Sequence, residues 1–340
     1  MNNNKQELDW SVVVIARNEE TVIANCLESV VRAFKQRSYE LIFVDSASTD
    51  RTVEIARRFD ARIVAIPPTG PLRPSVGRYI GYRYVNGKWI LFLDGDSVLE
   101  ASWIDAAELA FTSDARLGGV SGERENAQLA HDGTTVLSKR IYPELEYESA
   151  NQLDGPAAYR KDVFAISGGF NPFFYGTEEA ELGARIRKAG FRLCRLRQTM
   201  TQHFIKHSGE TVSELFRRLR RKYSVGDGQF VRHIFTYKLP VKEPFALISR
   251  YLQFFGLLII GVIALMAAAY QQRPSIFVAW ILLMLVVFAL FAIRARSLRK
   301  PAYYFLAWTI TTPLIIRGLL MKPRTESEFP YIHEQELSRY

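Results

Sequence analysis

The sequence predicts an α/β protein with a mostly parallel sheet and helices on both faces, followed by C-terminal transmembrane helices. Three observations carry that reading. From Ser11 to about Leu239, short apolar runs alternate with helical stripes in β-α-β-α order. After Pro240 the composition changes: residues 251–270 and 275–293 hold no Asp or Glu, and each run is long enough to cross a bilayer as a helix. Overall, 48% hydrophobic and 23% charged residues exclude a disordered or collagen-like chain.

Each element has its own warrant. Residues 11–15 (SVVVI) form a continuous apolar run, read as a buried strand. Residues 21–34 set Ile23, Leu27, Val30 and Phe34 on one helical stripe. A second strand follows at 40–44 (ELIFV), and a second helix at 50–59 with Val53, Ala56 and Phe59 inward. Residues 62–66 and 89–93 (WILFL) are further strands. A parallel sheet of this kind presents its functional residues at the carboxyl ends of its strands. Residues 123–154 are polar and read as an irregular or antiparallel extension carrying an acceptor site.

The expected division is a cytoplasmic domain over residues 1–239, a membrane region over 240–321 and a polar tail over 322–340. The membrane region holds two to three helices, at about 251–270, 275–293 and 302–320. The third is cut by Arg317, so it spans with tilt or lies in the interface. Arg294, Arg296, Arg299 and Lys300 fill the loop before it and mark that loop as cytoplasmic. Residues 1–10 lack the apolar core of a signal peptide, which independently predicts a cytoplasmic first domain. The expectation is therefore a multi-pass protein of the cytoplasmic (inner) membrane.

The formal net charge of +9 suits an anionic membrane face or phosphorylated substrates, and with membrane spans present these are favoured over nucleic acid. Cys26 and Cys194 are too few for a disulfide framework or a zinc site, which points to a reducing compartment. Five cations fall within residues 215–223 (LFRRLRRKY), with Leu215, Phe216, Leu219 and Tyr223 along one face. Residues 213–223 read as a basic amphipathic helix on the membrane surface or as a solvated basic face.

Four groups of residues can carry chemistry. Asp94-Gly95-Asp96 follows the 89–93 strand, where paired carboxylates can hold a hard cation such as Mg²⁺ or Mn²⁺ against a diphosphate; short turns of this composition are also common. Asp45 to Asp50 (DSASTD) follows the 40–44 strand. Asp45 there can accept a nucleobase N–H or a ribose hydroxyl, while Asp50 suits a helix cap. Glu178, Glu179 and Glu181 open a helix ending at Gly190. The helix dipole alone accounts for acids in the first turn. Spacing puts Glu178 on the inward stripe with Leu182 and Ile186, Glu179 leaning toward it, and Glu181 paired outward with Arg185. An inward carboxylate suggests a general base. His203 and His207 form the fourth group, and either alone is more often structural.

Taken in order, these pieces resemble the family 2 glycosyltransferases with a GT-A fold. Ala16-Arg17-Asn18-Glu19 is similar to that family's first-strand motif and Asp45–Asp50 to its Asp-Asp-Gly-Ser-Thr-Asp. Arg78-Tyr79-Ile80-Gly81 sits where the family has Arg-Asn-x-Gly, and Asp94-Gly95-Asp96 where it has Asp-x-Asp. Asp154-Gly155-Pro156 and Gly168-Gly169-Phe170 look like its acceptor-side segment, Glu178-Glu179 like its Glu-Asp pair, and His203 like its downstream metal-binding His. Ser46-Ala47, Tyr79 and Glu179 depart from the family pattern.

The resemblance implies donor contacts from Glu19, Asp45, Arg78 and Asp94, acceptor contacts from Gly155 and Glu178, and a divalent cation (Mg or Mn) on Asp96 and His203. Glu179 would be the base. It further implies inverting transfer of a single sugar from a nucleotide-diphosphate sugar, with a family leaning to UDP. The acceptor is a saccharide, lipid-linked, in cell-envelope or extracellular polysaccharide synthesis. A polyprenyl-phosphate monoglycosyltransferase is the alternative. A processive synthase is less favoured, since none of the five Trp follows an Arg as its Gln-x-x-Arg-Trp motif requires. A nicotinamide oxidoreductase fails on residues 16–20, which contain no glycine for a pyrophosphate loop.

Overall fold

The structure, a computed structural model, describes residues 8–129, 135–140, 149–204, 212–330 and 334–337. The chain forms two compact units, Met1–Lys206 with Arg324–Tyr340, and His207–Pro323. The first contains β1 (Trp10–Ala16), α1 (Ile23–Ala33), β2 (Tyr39–Asp45), α2 (Thr52–Ala56), β3 (Arg62–Ala65), α3 (Pro74–Tyr82) and β4 (Trp89–Asp94). These are followed by β5 (Ser97–Leu99), α4 (Ala101–Ser113), β6 (Leu117–Leu129), β7 (Thr135–Arg140), β8 (Ala157–Arg160), α5 (Lys161–Ser167), α6 (Glu178–Lys188) and β9 (Arg192–Phe204).

Strand alternation builds the core. In β1, Val12 and Val14 join one apolar cluster with Ile23, Leu27 and Trp103, while Val13 and Ile15 join another with Val76, Ile80, Phe164 and Leu182. In β4, Leu91 and Leu93 face the first cluster, Ile90 and Phe92 the second. A strand buried on both faces must read as a continuous apolar run, which is what residues 11–15 and 89–93 show. The second helix is shorter than its periodicity suggests: Asp50 takes the N–H of Thr52 at 3.0 Å, and the helix closes at Ala56.

The sheet order is β3-β2-β1-β4-β8-β6-β9-β5, with β7 paired to β6. β1, β2, β3 and β4 run parallel; β8 is antiparallel to both β4 and β6. Order reverses at β1, whose neighbours are β2 on one side and β4 on the other. That reversal opens a crevice beyond the carboxyl ends of the strands. The register sets Ala16 beside Asp45 and Ile15 beside Asp94, so both aspartates stand at the crevice. The polar segment from 123, expected to be irregular or antiparallel, is mixed where it is described: β6 pairs antiparallel with β7 and parallel with β9; residues 130–134 and 141–148, and His207, lie outside the described residues.

The tail expected to be merely polar carries β10 (Gln335–Leu337), antiparallel to β3 and tied by Arg62–Glu336 at 3.1 Å. Its Phe329 packs edge-on against Tyr79 and Phe173, and Arg324 O accepts from Asn171 at 2.7 Å.

The second unit contains α7 (Val212–Arg220), α8 (Val225–Tyr237), α9 (Ser249–Tyr270), α10 (Ser275–Ala295) and α11 (Arg299–Leu320). Thus α7 and α8 fold with the apolar helices, and the compact boundary lies at 206/207 rather than the expected 239/240. Glycines explain it. A Cβ on Gly228 would lie 2.0 Å from Ile315 O, and one on Gly318 2.1 Å from Val225 O, so α8 and α11 cross with backbones touching. Among the described residues two helices, α9 and α10, are long and apolar enough to cross a membrane. α11 buries Ala307, Thr311, Thr312, Ile315 and Gly318 against its neighbours.

Candidate active site

Arg78 gathers the site. It lies on the inward face of α3, a helix whose first turn accepts Pro74 because that N–H needs no intrahelical partner. Its Nη2 donates to Asp94 Oδ1 at 3.0 Å, and its Nη1 to Glu178 Oε1 at 2.8 Å and Glu179 Oε1 at 3.0 Å. The guanidinium stands over the Phe170 ring at 5.3 Å. One cation therefore ties the end of β4 to the first turn of α6, more than eighty residues further along the chain. Arg78, expected at the donor, is 3% exposed, and its paired N–H groups face carboxylates.

Thr177 opens α6 in the left-handed region at φ 65, unusual for a β-branched residue. That turn delivers two successive glutamates to one guanidinium. Glu178, expected at the acceptor, is 2% exposed and lies beneath the surface; Glu179, at 18%, is the one a ligand can reach. The expected outward direction of Glu181 is corrected. Glu181 pairs with Arg185 as expected, at 2.8 Å, but inward, with Arg185 also holding Gly169 O at 2.7 Å.

Gly155 fits by its missing side chain, since a Cβ there would lie 2.6 Å from Arg78 Nη2 and 2.7 Å from Asp94 Oδ2. Its neighbour Asp154 is held by the buried Arg195 at 3.1 Å. Neither Arg195 nor Phe170 was a candidate; Phe170 stands in a quoted motif, but nothing in its spacing points to a guanidinium.

On the other side of Asp94, β5 pairs Ser97 with His203 on β9, and Phe204 N donates to Asp96 O at 2.8 Å. Asp96 Oδ2 then stands 3.2 Å from His203 Nε2. Asp96 Oδ1 and His203 Nδ1 are buried without a hydrogen-bond partner among the described residues. An oxygen and an imidazole nitrogen side by side, with acceptor capacity left over, fit a divalent cation. No group of three or more His, Cys, Asp or Glu suited to a metal occurs among the described residues, so the remaining ligands would come from substrate and water.

At the end of β2, Asp45 is 3% exposed, accepts Ser48 N–H at 2.9 Å through Oδ2, and keeps Oδ1 buried without a hydrogen-bond partner among the described residues. Burial pushes its carboxyl above the ordinary range. Asn18 and Ala47, both at positive φ, fold the β1 and β2 turns together, with Thr49 N donating to Asn18 Oδ1 at 2.8 Å. Glu19 donates its N–H to Thr52 Oγ1 at 2.8 Å, and its carbonyl starts α1. Cys26 sits under Asp94 O, and burial followed by the Asp96 and Asp94 charges pushes its thiol far up, which leaves it unreactive.

Burial and then the Glu179 charge push Glu178 up to about 8, against the pull of Arg78. The folded chain therefore keeps a proton that the unfolded chain releases near its ordinary value. That contribution to stability is complete below about pH 4.5 and is lost as pH rises through about 8. The melting temperature is expected to fall over that interval, and Glu178→Gln to flatten the fall. An unchanged slope in the variant would assign it to another group.

Residues 11–165 match the family described as Glycosyl transferase family 2. The chain is 35% identical over 109 residues to an uncharacterised glycosyltransferase of Rickettsia conorii, covering 30% of this chain and 34% of that one. It is 24% identical over 176 residues to the O-antigen chain rhamnosyltransferase WbaN of Salmonella anatum, covering 48% and 56%. The chain thus spans about a third to just over half the length of these curated relatives. Among solved structures, mannosyltransferase PcManGT from Pyrobaculum calidifontis, in complex with GDP-Man and Mn²⁺, aligns with a TM-score of 0.52. That likeness, at 18% identity over 92% of this chain and 86% of that one, is one of fold. A reversed strand order with aspartates at its crevice, joined to the family match, leads to one conclusion: the chain carries a GT-A fold, and its residues 11–165 are similar to the family 2 glycosyltransferases.

Proposed function

We propose that this chain transfers a single sugar from a nucleotide-diphosphate sugar to a saccharide acceptor, with inversion and with help from a divalent cation. The acceptor is lipid-linked, the products are cell-envelope or extracellular polysaccharide, and α9 and α10 anchor a cytoplasmic catalytic unit in the inner membrane. The observation that carries the reading is Arg78 joining Asp94 at the crevice to Glu179 on α6. The polysaccharide context is supported by the likeness to an O-antigen rhamnosyltransferase.

Asp45 Oδ1, buried and without a partner among the described residues, is suited to accept from the nucleoside, with Glu19 on the adjoining turn. Asp94 faces the ribose or sugar side. Asp96 and His203 would hold the cation on the diphosphate, where it supplies charge stabilisation for the leaving group. Glu179 takes the acceptor's hydroxyl proton. The acceptor oxygen then bonds the anomeric carbon as the bond to the diphosphate oxygen breaks, and the nucleoside diphosphate leaves with that electron pair. Glu178 and Gly155 act through position: one holds Arg78 from below, the other lets Arg78 and Asp94 meet.

A thermal-shift panel of UDP-, GDP- and dTDP-sugars with and without Mn²⁺ tests the donor side. At least one is expected to stabilise the chain with the metal, and Asp96→Ala to abolish that metal-dependent part. Transfer undiminished in excess chelator would remove the cation from the scheme.

A further inference from the structure

The helical unit holds a cavity of about 500 Å³ that the sugar-transfer chemistry does not use, lined wholly by residues between 207 and 323. Its wall carries two guanidinium groups, Arg218 from α7 and Arg250 from the first turn of α9, together with Tyr251, Tyr303, Tyr304 and Trp308.

Helix ends give its depth. Arg250 is the second residue of α9, Phe291 lies four residues before the end of α10, and Tyr303 is the fifth residue of α11. At a rise of ~1.5 Å per residue, all three lie within about 6 Å of one end of the three helices. Arg294, Arg296, Arg299 and Lys300 mark that end as the basic one. Trp308 and Thr311 lie deeper, roughly 14–18 Å along α11. Given the membrane placement proposed above, on which this step rests, the cavity runs from headgroup level into the hydrocarbon.

Its chemistry follows the same gradient. Arg218 is steadied over the Tyr223 ring at 5.2 Å. A guanidinium fork suits phosphate oxygens, and tyrosine hydroxyls add neutral donors. Phe291, Ala307 and Trp308 would be left facing water by a free phosphate but are covered by a hydrocarbon chain. We propose that this cavity binds a membrane lipid through its phosphate, with Arg218 and Arg250 on the phosphate and the wall around Trp308 on the first part of the chain.

Native mass spectrometry of the full chain in neutral detergent tests this with phosphatidic acid, diacylglycerol and inorganic phosphate as probes. Phosphatidic acid is expected to be retained and the other two not. Arg218→Gln with Arg250→Gln should weaken retention by at least about tenfold, the usual weight of a charge-assisted bond. Arg217→Gln with Arg220→Gln removes equal charge from α7 outside the cavity and should change retention less than about twofold. Should the first pair unfold the chain, each single variant is expected to lose part of the retention. Equal retention of diacylglycerol, equal binding of inorganic phosphate, or equal losses in both double variants would each overturn the proposal. Membrane placement is read separately by carbonate extraction: release of a chain that still retains phosphatidic acid would sink the placement and leave the phosphate-lipid site standing.

Discussion

An Arg78→Met chain is expected to lose about 3 kcal/mol of stability and nearly all sugar transfer. Breaking a buried charge network from its cationic side costs ~3–5 kcal/mol, because the carboxylates left behind have neither counter-ion nor water. The lower end applies here. Asp94 is 28% exposed and regains some solvent, and Glu178 can keep a proton, so only part of the charge is stranded. Transfer suffers more than stability because the same guanidinium fixes Asp94 and Glu179 relative to each other, and small misplacements of reacting groups are costly. Arg78→Lys separates the two effects. A single ammonium keeps the charge but cannot span three carboxylates as a planar fork does. It should recover most of the melting temperature and little of the turnover. Thermal unfolding and a transfer assay on both variants decide it, and an Arg78→Met chain that melts like the parent would mean the three contacts hold nothing.

What the sequence disclosed and what it hid divides along range. Asp45, Asp94 and Asp96 were legible because a buried parallel strand announces itself by an unbroken apolar run, and the next residue must emerge at the crevice. Arg78 was legible as a residue of interest but not in its contacts, since its partners lie 16, 100 and 101 positions away and no local period connects them. The direction of Glu181 failed for a related reason. Spacing of i,i+4 fits an exposed pair and a buried one equally, and the choice is made by the Ser167 and Gly169 carbonyls that occupy the other N–H groups of Arg185.

The tail was illegible for want of pattern. Gln335-Glu336-Leu337 has no strand propensity to speak of, and it becomes a strand because β3 leaves an edge open beside it. Likewise the move of α8 to the helical unit depends on Gly228 meeting Gly318, ninety residues on. Each glycine alone reads as an ordinary helix weakness.

Replacing Glu179 by glutamine is expected to leave nucleotide binding within about twofold while lowering turnover by ~10²–10⁴, the usual contribution of a positioned base. Geometry separates the two. Donor contacts are proposed at the ends of β1, β2 and β4, whereas Glu179 stands on α6 with Oε1 on Arg78 and the side chain still 18% exposed. Glutamine keeps a carbonyl oxygen for Arg78 and nearly the same volume, so the carboxylate network loses one charge but no packing. What it removes is the capacity to take a proton. The loss should therefore appear in kcat rather than KM, since the proton moves only as the bond to the anomeric carbon forms. Glu178→Gln supplies the contrast. That residue is buried beneath Glu179, and its loss should shift the pH dependence of melting more than the turnover. Should Glu179→Gln turn over within about threefold of the parent while Glu178→Gln does not, the proton must travel by the lower carboxylate, and the burial of Glu178 would have to be relieved when the acceptor binds.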